Sequence, residues 1–208
     1  LPELGQAVVP PAFPVAYHHV PPSCYFLTEA VLARLNPIRG AAGLAPARIV
    51  KVDKDSVTHT DYASSTMAER RAELARIGFT LAEPVDGADV VVIDDVRVTG
   101  MAEETIMLAL RDAGAHSLTA AYLAVCDDTL SRDPHVEAEL NHAAVTSILD
   151  LVPAIRAGNF HLTIRFLKRA LASPELADFA KAIPSAMVRL MYAAATGTGP
   201  DFVAGYPE

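Results

Sequence analysis

Apolar positions along this chain fall first into short, broken runs, then into two continuous blocks, and finally into helical spacing. Pro10, Pro11, Pro14, Pro21 and Pro22 divide the first part into extended pieces, with Val15–His18 as a short strand. Tyr25–Leu35 reads as a helix ended by Asn36-Pro37, because the residue before a proline is pushed out of helical backbone. Arg48-Ile49-Val50-Lys51-Val52 has a strand pattern, and a mostly polar stretch follows from Asp53 to Ser65. Thr66-Met67-Ala68-Glu69 is a capping box that opens a helix to about Ile77, with Gly78 as its stop. Phe79–Leu81 suits one more strand.

The middle of the chain carries the clearest signals. Val90–Ile93 is a continuous run of β-branched residues, as expected of a parallel strand buried on both faces. A polar turn, a helix over about Ala102–Ala113 and a second buried strand at Leu118–Val125 complete a βαβ unit, whose crossover should be right-handed. Beyond His135 the strand signals stop. His135–Ile148, Phe160–Leu171, Leu176–Ala182 and Ser185–Ala195 read as helices, and Gly197–Glu208 as a loop pinned by Phe202 and Tyr206. The expected fold is α/β, a doubly wound and mainly parallel sheet over residues 1–133. A helical carboxyl-terminal extension over 134–208 either caps that sheet or serves packing and homodimerisation.

Composition narrows the function. The 208 residues are 51% hydrophobic and 20% charged, ordinary for a globular chain. A formal net charge of −8 argues against a general nucleic-acid binder, which needs a basic face. No apolar run reaches the roughly 18–20 residues that cross a bilayer. Leu1–Tyr17 carries prolines and no basic leader, so it does not read as a signal peptide. Cys24 and Cys126 lie far apart and form no CxxC motif; two reduced thiols in a cytoplasmic protein is the expectation.

The chemistry concentrates at Asp94-Asp95-Val96-Arg97-Val98-Thr99-Gly100. Apolar residues bring the chain to the carboxyl end of a parallel strand, where ligands bind in open α/β sheets. Amides at the following helix start point outward unpaired and the helix dipole is positive there, which suits a phosphate. Two acids beside a phosphate repel it unless they serve hydroxyls or a metal ion. A sugar phosphate supplies the hydroxyls, and Mg²⁺ supplies compensating charge.

Apolar residues, two acids, an apolar residue, two variable positions and Thr-Gly resemble the phosphoribosyl pyrophosphate signature of the type I phosphoribosyltransferases. The resemblance implies that Asp94 and Asp95 contact the ribose hydroxyls and serve Mg²⁺. It makes Val96, Arg97, Val98, Thr99, Gly100 and Met101 the cradle of the 5-phosphate. Val98 and Ala102 stand where the family often has Thr, and Met101 where it often has a second Gly. Val98→Thr would on this view restore a hydroxyl, and Arg97 either pairs with phosphate or is solvated. Glu103 and Glu104 are expected to face away.

The resemblance also implies cationic groups for pyrophosphate and a mobile flap upstream of the signature. Arg48, Lys51 and Lys54 are the cationic candidates, and Asp55–Ser65 the flap that excludes water from a reactive sugar cation. His59 or Asp61 in that loop, with Asp95, are the candidate catalytic groups, since a shifted pKa lets either loop residue move a proton. His18-His19-Val20-Pro21-Pro22-Ser23 occupies the place of the family's first, glycine-containing pyrophosphate loop without matching it. Neighbouring strand residues face opposite ways, so one of His18 and His19 should face the pocket and the other pack. Asp127-Asp128 end the strand after the signature helix and either contact a base or begin a loop.

The implied activity is transfer of phosphoribose from phosphoribosyl pyrophosphate to a small nitrogen base, with Mg²⁺ and release of pyrophosphate. Two alternatives stand beside it: a non-catalytic phosphoribosyl pyrophosphate-binding regulator, and a hydrolase or phosphorylase of a phosphoribosylated compound.

Overall fold

A computed structural model describes residues 2–54, 79–127, 129–130, 136, 139–140 and 145–206. Of these, residues 2–17, 23–54 and 79–130 belong to one compact unit, and residues 18–22 with those beyond 134 to another.

The first unit is an α/β sheet. Its strands are β1 (Ala12–Tyr17), β2 (Arg48–Lys54), β3 (Phe79–Leu81), β4 (Asp89–Arg97) and β5 (Ser117–Val125), in the order β3-β2-β1-β4-β5. All neighbours run parallel except β3, which pairs antiparallel with β2. Side chains alternate across a strand, so each buried strand supplies two apolar faces. Val91 and Ile93 pack with Phe13 and with Leu27, Leu32 and Leu35 of helix α1 (Ser23–Ala41). Val90 and Val92 pack with Val50, Val52 and with Ile106 and Leu110 of helix α2 (Met101–Asp112). Helices on both faces make the sheet doubly wound.

Helix α1 and strands β4 and β5 depart from expectation. Helix α1 does not stop at Asn36-Pro37 but runs through Pro37 to Ala41. Tertiary bonds outweigh the roughly 3 kcal/mol that an interior proline costs. The Asn36 amide brackets the Ala47 backbone, accepting from its N–H at 2.8 Å and donating to its carbonyl at 3.1 Å. Arg39, fully buried, donates from Nε to the Ala45 carbonyl at 2.7 Å and from Nη1 to the Leu4 carbonyl at 2.6 Å.

Strand β4 does not turn at Asp94. It stays in register with β5 through Asp94↔Tyr122, Val96↔Ala124 and Arg97↔Val125. Strand β5 is not buried on both faces. It lies at the end of the described sheet, with Leu123 76% and Val125 60% exposed.

The second unit is helical: a 3₁₀ turn (Ile148–Leu151), then α3 (Val152–Arg156), α4 (Ile164–Leu171), α5 (Leu176–Ala182), α6 (Ser185–Thr198) and α7 (Pro200–Ala204). Local capping sets two of the starts. Ser147 forms a capping box with Asp150, so residues 145–147 are not helical, whereas Val136, Glu139 and Leu140, earlier in the helix expected over His135–Ile148, are. Thr163 accepts from the Phe166 N–H at 3.2 Å, so α4 begins at Ile164 rather than Phe160. Phe166, Leu167, Phe179, Ile183 and Met191 form the core of this unit. Phe202 joins them from α7, a short helix where a loop was expected. No helix among the described residues is long and apolar enough to cross a membrane. The loop Asp55–Ser65, the capping box at Thr66, the helix expected to Ile77 and Asp128 lie outside the described residues.

Candidate functional site

The two acids of β4 point to opposite faces of the sheet. Ile93 faces α1 and Val92 faces α2, so alternation sends Asp95 toward α1 and Asp94 toward α2. The side-chain partners agree. Ser23, the first residue of α1, donates from Oγ to Asp95 Oδ2 at 3.3 Å. Asp94 pairs in register with Tyr122, and its charge helps to push the Tyr122 hydroxyl pKa upward, after burial and the Glu103 hydrogen bond. Each acid also takes up the next backbone amide: Asp95 N–H donates to Asp94 Oδ1 at 2.9 Å, and Val96 N–H to Asp95 Oδ1 at 2.8 Å. One carboxylate oxygen of each is thereby used to hold the chain in place.

Beyond Arg97 the chain bends into α2. Gly100 has φ +72° and ψ 1°, a left-handed conformation that glycine adopts without steric cost, and it caps α2 with no side-chain hydrogen bond to the first amides. Its carbonyl accepts from the Glu104 N–H at 3.0 Å. Val98 is buried, at 5% exposure, so it can offer a ligand its backbone only.

Arg97 is partly exposed and already has protein partners. Its Nε donates to Glu103 Oε2 at 2.5 Å, and the Tyr122 hydroxyl donates to the same oxygen at 2.8 Å. Glu103 therefore turns back toward the cradle instead of facing away. The hydrogen bond and charge of Glu103 raise the Arg97 pKa further above its ordinary value. The pattern had a legible trace, since Arg97 precedes Glu103 by 6 residues across a tight turn. Tyr122 carried no comparable signal.

Cys24, in the first turn of α1, is also part of this region. Burial, then the charges of Asp94 and Asp95, push its thiol from 9.0 up to about 12, against an opposing pull from Lys54. Lys54, the last residue of β2, thus acts electrostatically on the same neighbourhood as the two acids. Lys51 pairs with Asp53 at 2.5 Å and lies 5.0 Å over the Tyr17 ring. Arg48 is a correction. It is the first residue of β2, level with Ala12 and, through it, with Val90, and it binds Glu83 and the Pro84 carbonyl. The amino end of a parallel strand lies at the opposite edge from the strand ends that carry a ligand site. His19 lies in the helical unit, its ring so close to Gly197 that a Cβ there would stand 2.2 Å from Nε2. His59 and Asp61 fall outside the described residues.

The chain matches the family described as PRTase ComF-like over residues 7–199. It belongs to the ComF-like phosphoribosyltransferases. No curated protein matches it. Solved structures with partial similarity include Trypanosoma cruzi hypoxanthine phosphoribosyltransferase in complex with the product IMP, at 14% identity, 56% of this chain, 51% of that chain and TM-score 0.37. A Staphylococcus aureus hypoxanthine phosphoribosyltransferase matches at 14% identity, 64% of this chain, 61% of that chain and TM-score 0.35. Pyrococcus horikoshii purine phosphoribosyltransferase matches at 17% identity, 56% of this chain, 61% of that chain and TM-score 0.33. The ComF-like chain thus spans between 51% and 61% of the length of these three.

Mg²⁺ fits the acids of this family member under one condition. Among the described residues, no three His, Cys, Asp or Glu side chains converge on one point. Asp94 and Asp95 leave the sheet on opposite faces, so these two acids alone build no closed cage for a cation. Mg²⁺ is commonly held by one or two carboxylates with waters and substrate phosphates completing its octahedron, and that is the arrangement these residues allow.

Proposed function

We propose that this ComF-like phosphoribosyltransferase binds phosphoribosyl pyrophosphate at residues 94–101 and transfers phosphoribose to a small nitrogen base. The observation that carries the reading is Gly100: a left-handed glycine at the start of a 12-residue helix, directly after a strand with paired acids. Uncapped amides of α2 attract the 5-phosphate, and the helix dipole adds to the attraction. Asp94 and Asp95 accept hydrogen bonds from the ribose hydroxyls. In the transfer, the bond from ribose C1 to pyrophosphate oxygen breaks, taking its electron pair with pyrophosphate. The acceptor nitrogen supplies the pair for the new C–N bond and gives up its proton. His59 or Asp61 takes that proton, and Lys51 and Lys54 balance the charge of the leaving pyrophosphate. Asp94 or Asp95 would hold Mg²⁺, which would supply further positive charge to the same group.

A second reading is favoured by the pairing of Arg97 with Glu103 and by the position of Arg48. With Arg97 held by Glu103 at the 5-phosphate turn and Arg48 away from the pyrophosphate, the chain would bind phosphoribosyl pyrophosphate as a regulator without turning it over.

The test is incubation with labelled phosphoribosyl pyrophosphate and Mg²⁺, alone and with a panel of nitrogen bases. Pyrophosphate release that depends on a base supports transfer. Binding without turnover supports the regulator. Consumption without a base points to hydrolysis, and no binding at all overturns both readings of the turn.

A further inference from the structure

Glu103 has a local reason to exist, since an acid in the first turn of a helix is favoured by the dipole. Glu104 meets that preference equally well. Glu103 does something more. Its Oε2 receives two donors at once, Arg97 Nε at 2.5 Å and the Tyr122 hydroxyl at 2.8 Å. Tyr122 comes from β5, where it pairs with Asp94, so the carboxylate is fixed from a separate element of the sheet. The Arg97 guanidinium in turn lies against Gly100, with Nη2 2.6 Å from where a Cβ would stand. A continuous path of contacts therefore runs from a ribose acid, Asp94, through Tyr122, Glu103 and Arg97, to the turn glycine.

We propose that Glu103, braced by Tyr122, competes with the substrate's 5-phosphate for Arg97 and thereby selects a phosphomonoester dianion over singly charged ligands. The inference rests on the reading of residues 94–101 as a phosphate cradle. A phosphate dianion carries more charge than a carboxylate and offers three acceptor oxygens, so it draws Arg97 away from Glu103. A carboxylate or a phosphodiester carries one negative charge, no more than Glu103 itself, and gains nothing from the exchange. Glu103 is thus a positioning residue acting through Arg97. It lowers affinity for every anion and lowers it most, in relative terms, for those that cannot recruit Arg97.

The experiment is calorimetric titration of ribose 5-phosphate, and of its methyl phosphodiester, into the parent chain, Glu103→Gln, Tyr122→Phe, Arg97→Gln and the Glu103→Gln/Arg97→Gln double variant. Glu103→Gln should bind ribose 5-phosphate about 2–5-fold more tightly, equivalent to about 0.4–1 kcal/mol at 1.4 kcal/mol per tenfold. It should gain more for the diester, narrowing the discrimination. Tyr122→Phe should move both affinities in the same direction by less. The double variant should match Arg97→Gln alone, because the competition needs both partners. If the parent binds ribose 5-phosphate and Glu103→Gln binds it equally or more weakly, the competition does not exist and the cradle stands without it. If no variant binds while circular dichroism shows them folded, the cradle reading fails and takes the inference with it.

Discussion

Gly100 and Arg97 are set so closely that a Cβ on the glycine would stand 2.6 Å from the arginine Nη2. The turn needs glycine for its left-handed φ of +72°, and any side chain there would also have to displace the guanidinium. A branched residue in that conformation costs about 1–2 kcal/mol before any clash. Gly100→Val should lower stability by roughly 1–3 kcal/mol in urea denaturation and weaken ribose 5-phosphate binding at least about tenfold. Parent-like affinity in a folded Gly100→Val protein would move the phosphate site elsewhere.

Val98 gives the reverse of the expectation drawn from the family. The hydroxyl of a Val98→Thr variant would enter a site only 5% exposed, and an unpaired buried hydroxyl costs about 1–3 kcal/mol. Val98→Thr should lower the urea midpoint and leave ribose 5-phosphate affinity unchanged. A gain in affinity on calorimetry would show that the side chain reaches the ligand.

Asp94 and Asp95 reach opposite faces but are adjacent in the chain and serve one ligand. Asp94→Asn and Asp95→Asn should each weaken ribose 5-phosphate binding, and the double variant should bind more weakly than either, without simple additivity. Circular dichroism should stay unchanged, because the one asparagine oxygen at each position still accepts from the next backbone amide. Affinity of the double variant equal to that of the parent would remove both acids from the site.

The raised Cys24 pKa has a defined sign. Folding favours the neutral thiol, so its stabilising contribution is complete below about pH 9 and is lost as pH rises from 9.0 toward about 12. The thiolate is the reactive form, so native Cys24 should react with iodoacetamide at pH 9 much more slowly than in urea. Asp94→Asn with Asp95→Asn removes two of the causes and should speed the native reaction. Mass spectrometry of the Cys24 peptide measures both, and equal native and unfolded rates would contradict the assignment.

Arg39 holds two distant carbonyls from full burial, those of Leu4 and Ala45. Arg39→Met should strand both and destabilise the chain by about 2–4 kcal/mol. Arg39→Lys should not restore it, because one ammonium cannot reproduce the planar spread of guanidinium donors. A loss below 0.5 kcal/mol, read from urea denaturation as about the surface-substitution range, would mean the clamp contributes little.

The sheet and the turn were legible because their signals are local. A β-branched run at Val90–Ile93, a polar turn and a capped helix lie within about one supersecondary unit. Alternation also implied that Asp94 and Asp95 face opposite ways. That consequence becomes visible when α1 and α2 are seen to occupy the two faces. Arg48 could likewise have been set aside from sequence, since the first residue of a parallel strand lies away from the ligand edge.

By itself, the sequence determined the α/β class, the βαβ unit and the stretch that carries the candidate phosphate turn, because backbone preference and hydrophobic spacing act over a few residues. Only the tertiary structure decided the continuation of α1 through Pro37, the exposure of β5, the burial of Val98 and the pairing of Arg97 with Glu103 and Tyr122. Ser23 and Asp95 stand 72 residues apart in the chain and 3.3 Å apart in space. Periodicity tells a side chain which face it takes, but the partner it meets there is chosen by how whole elements pack.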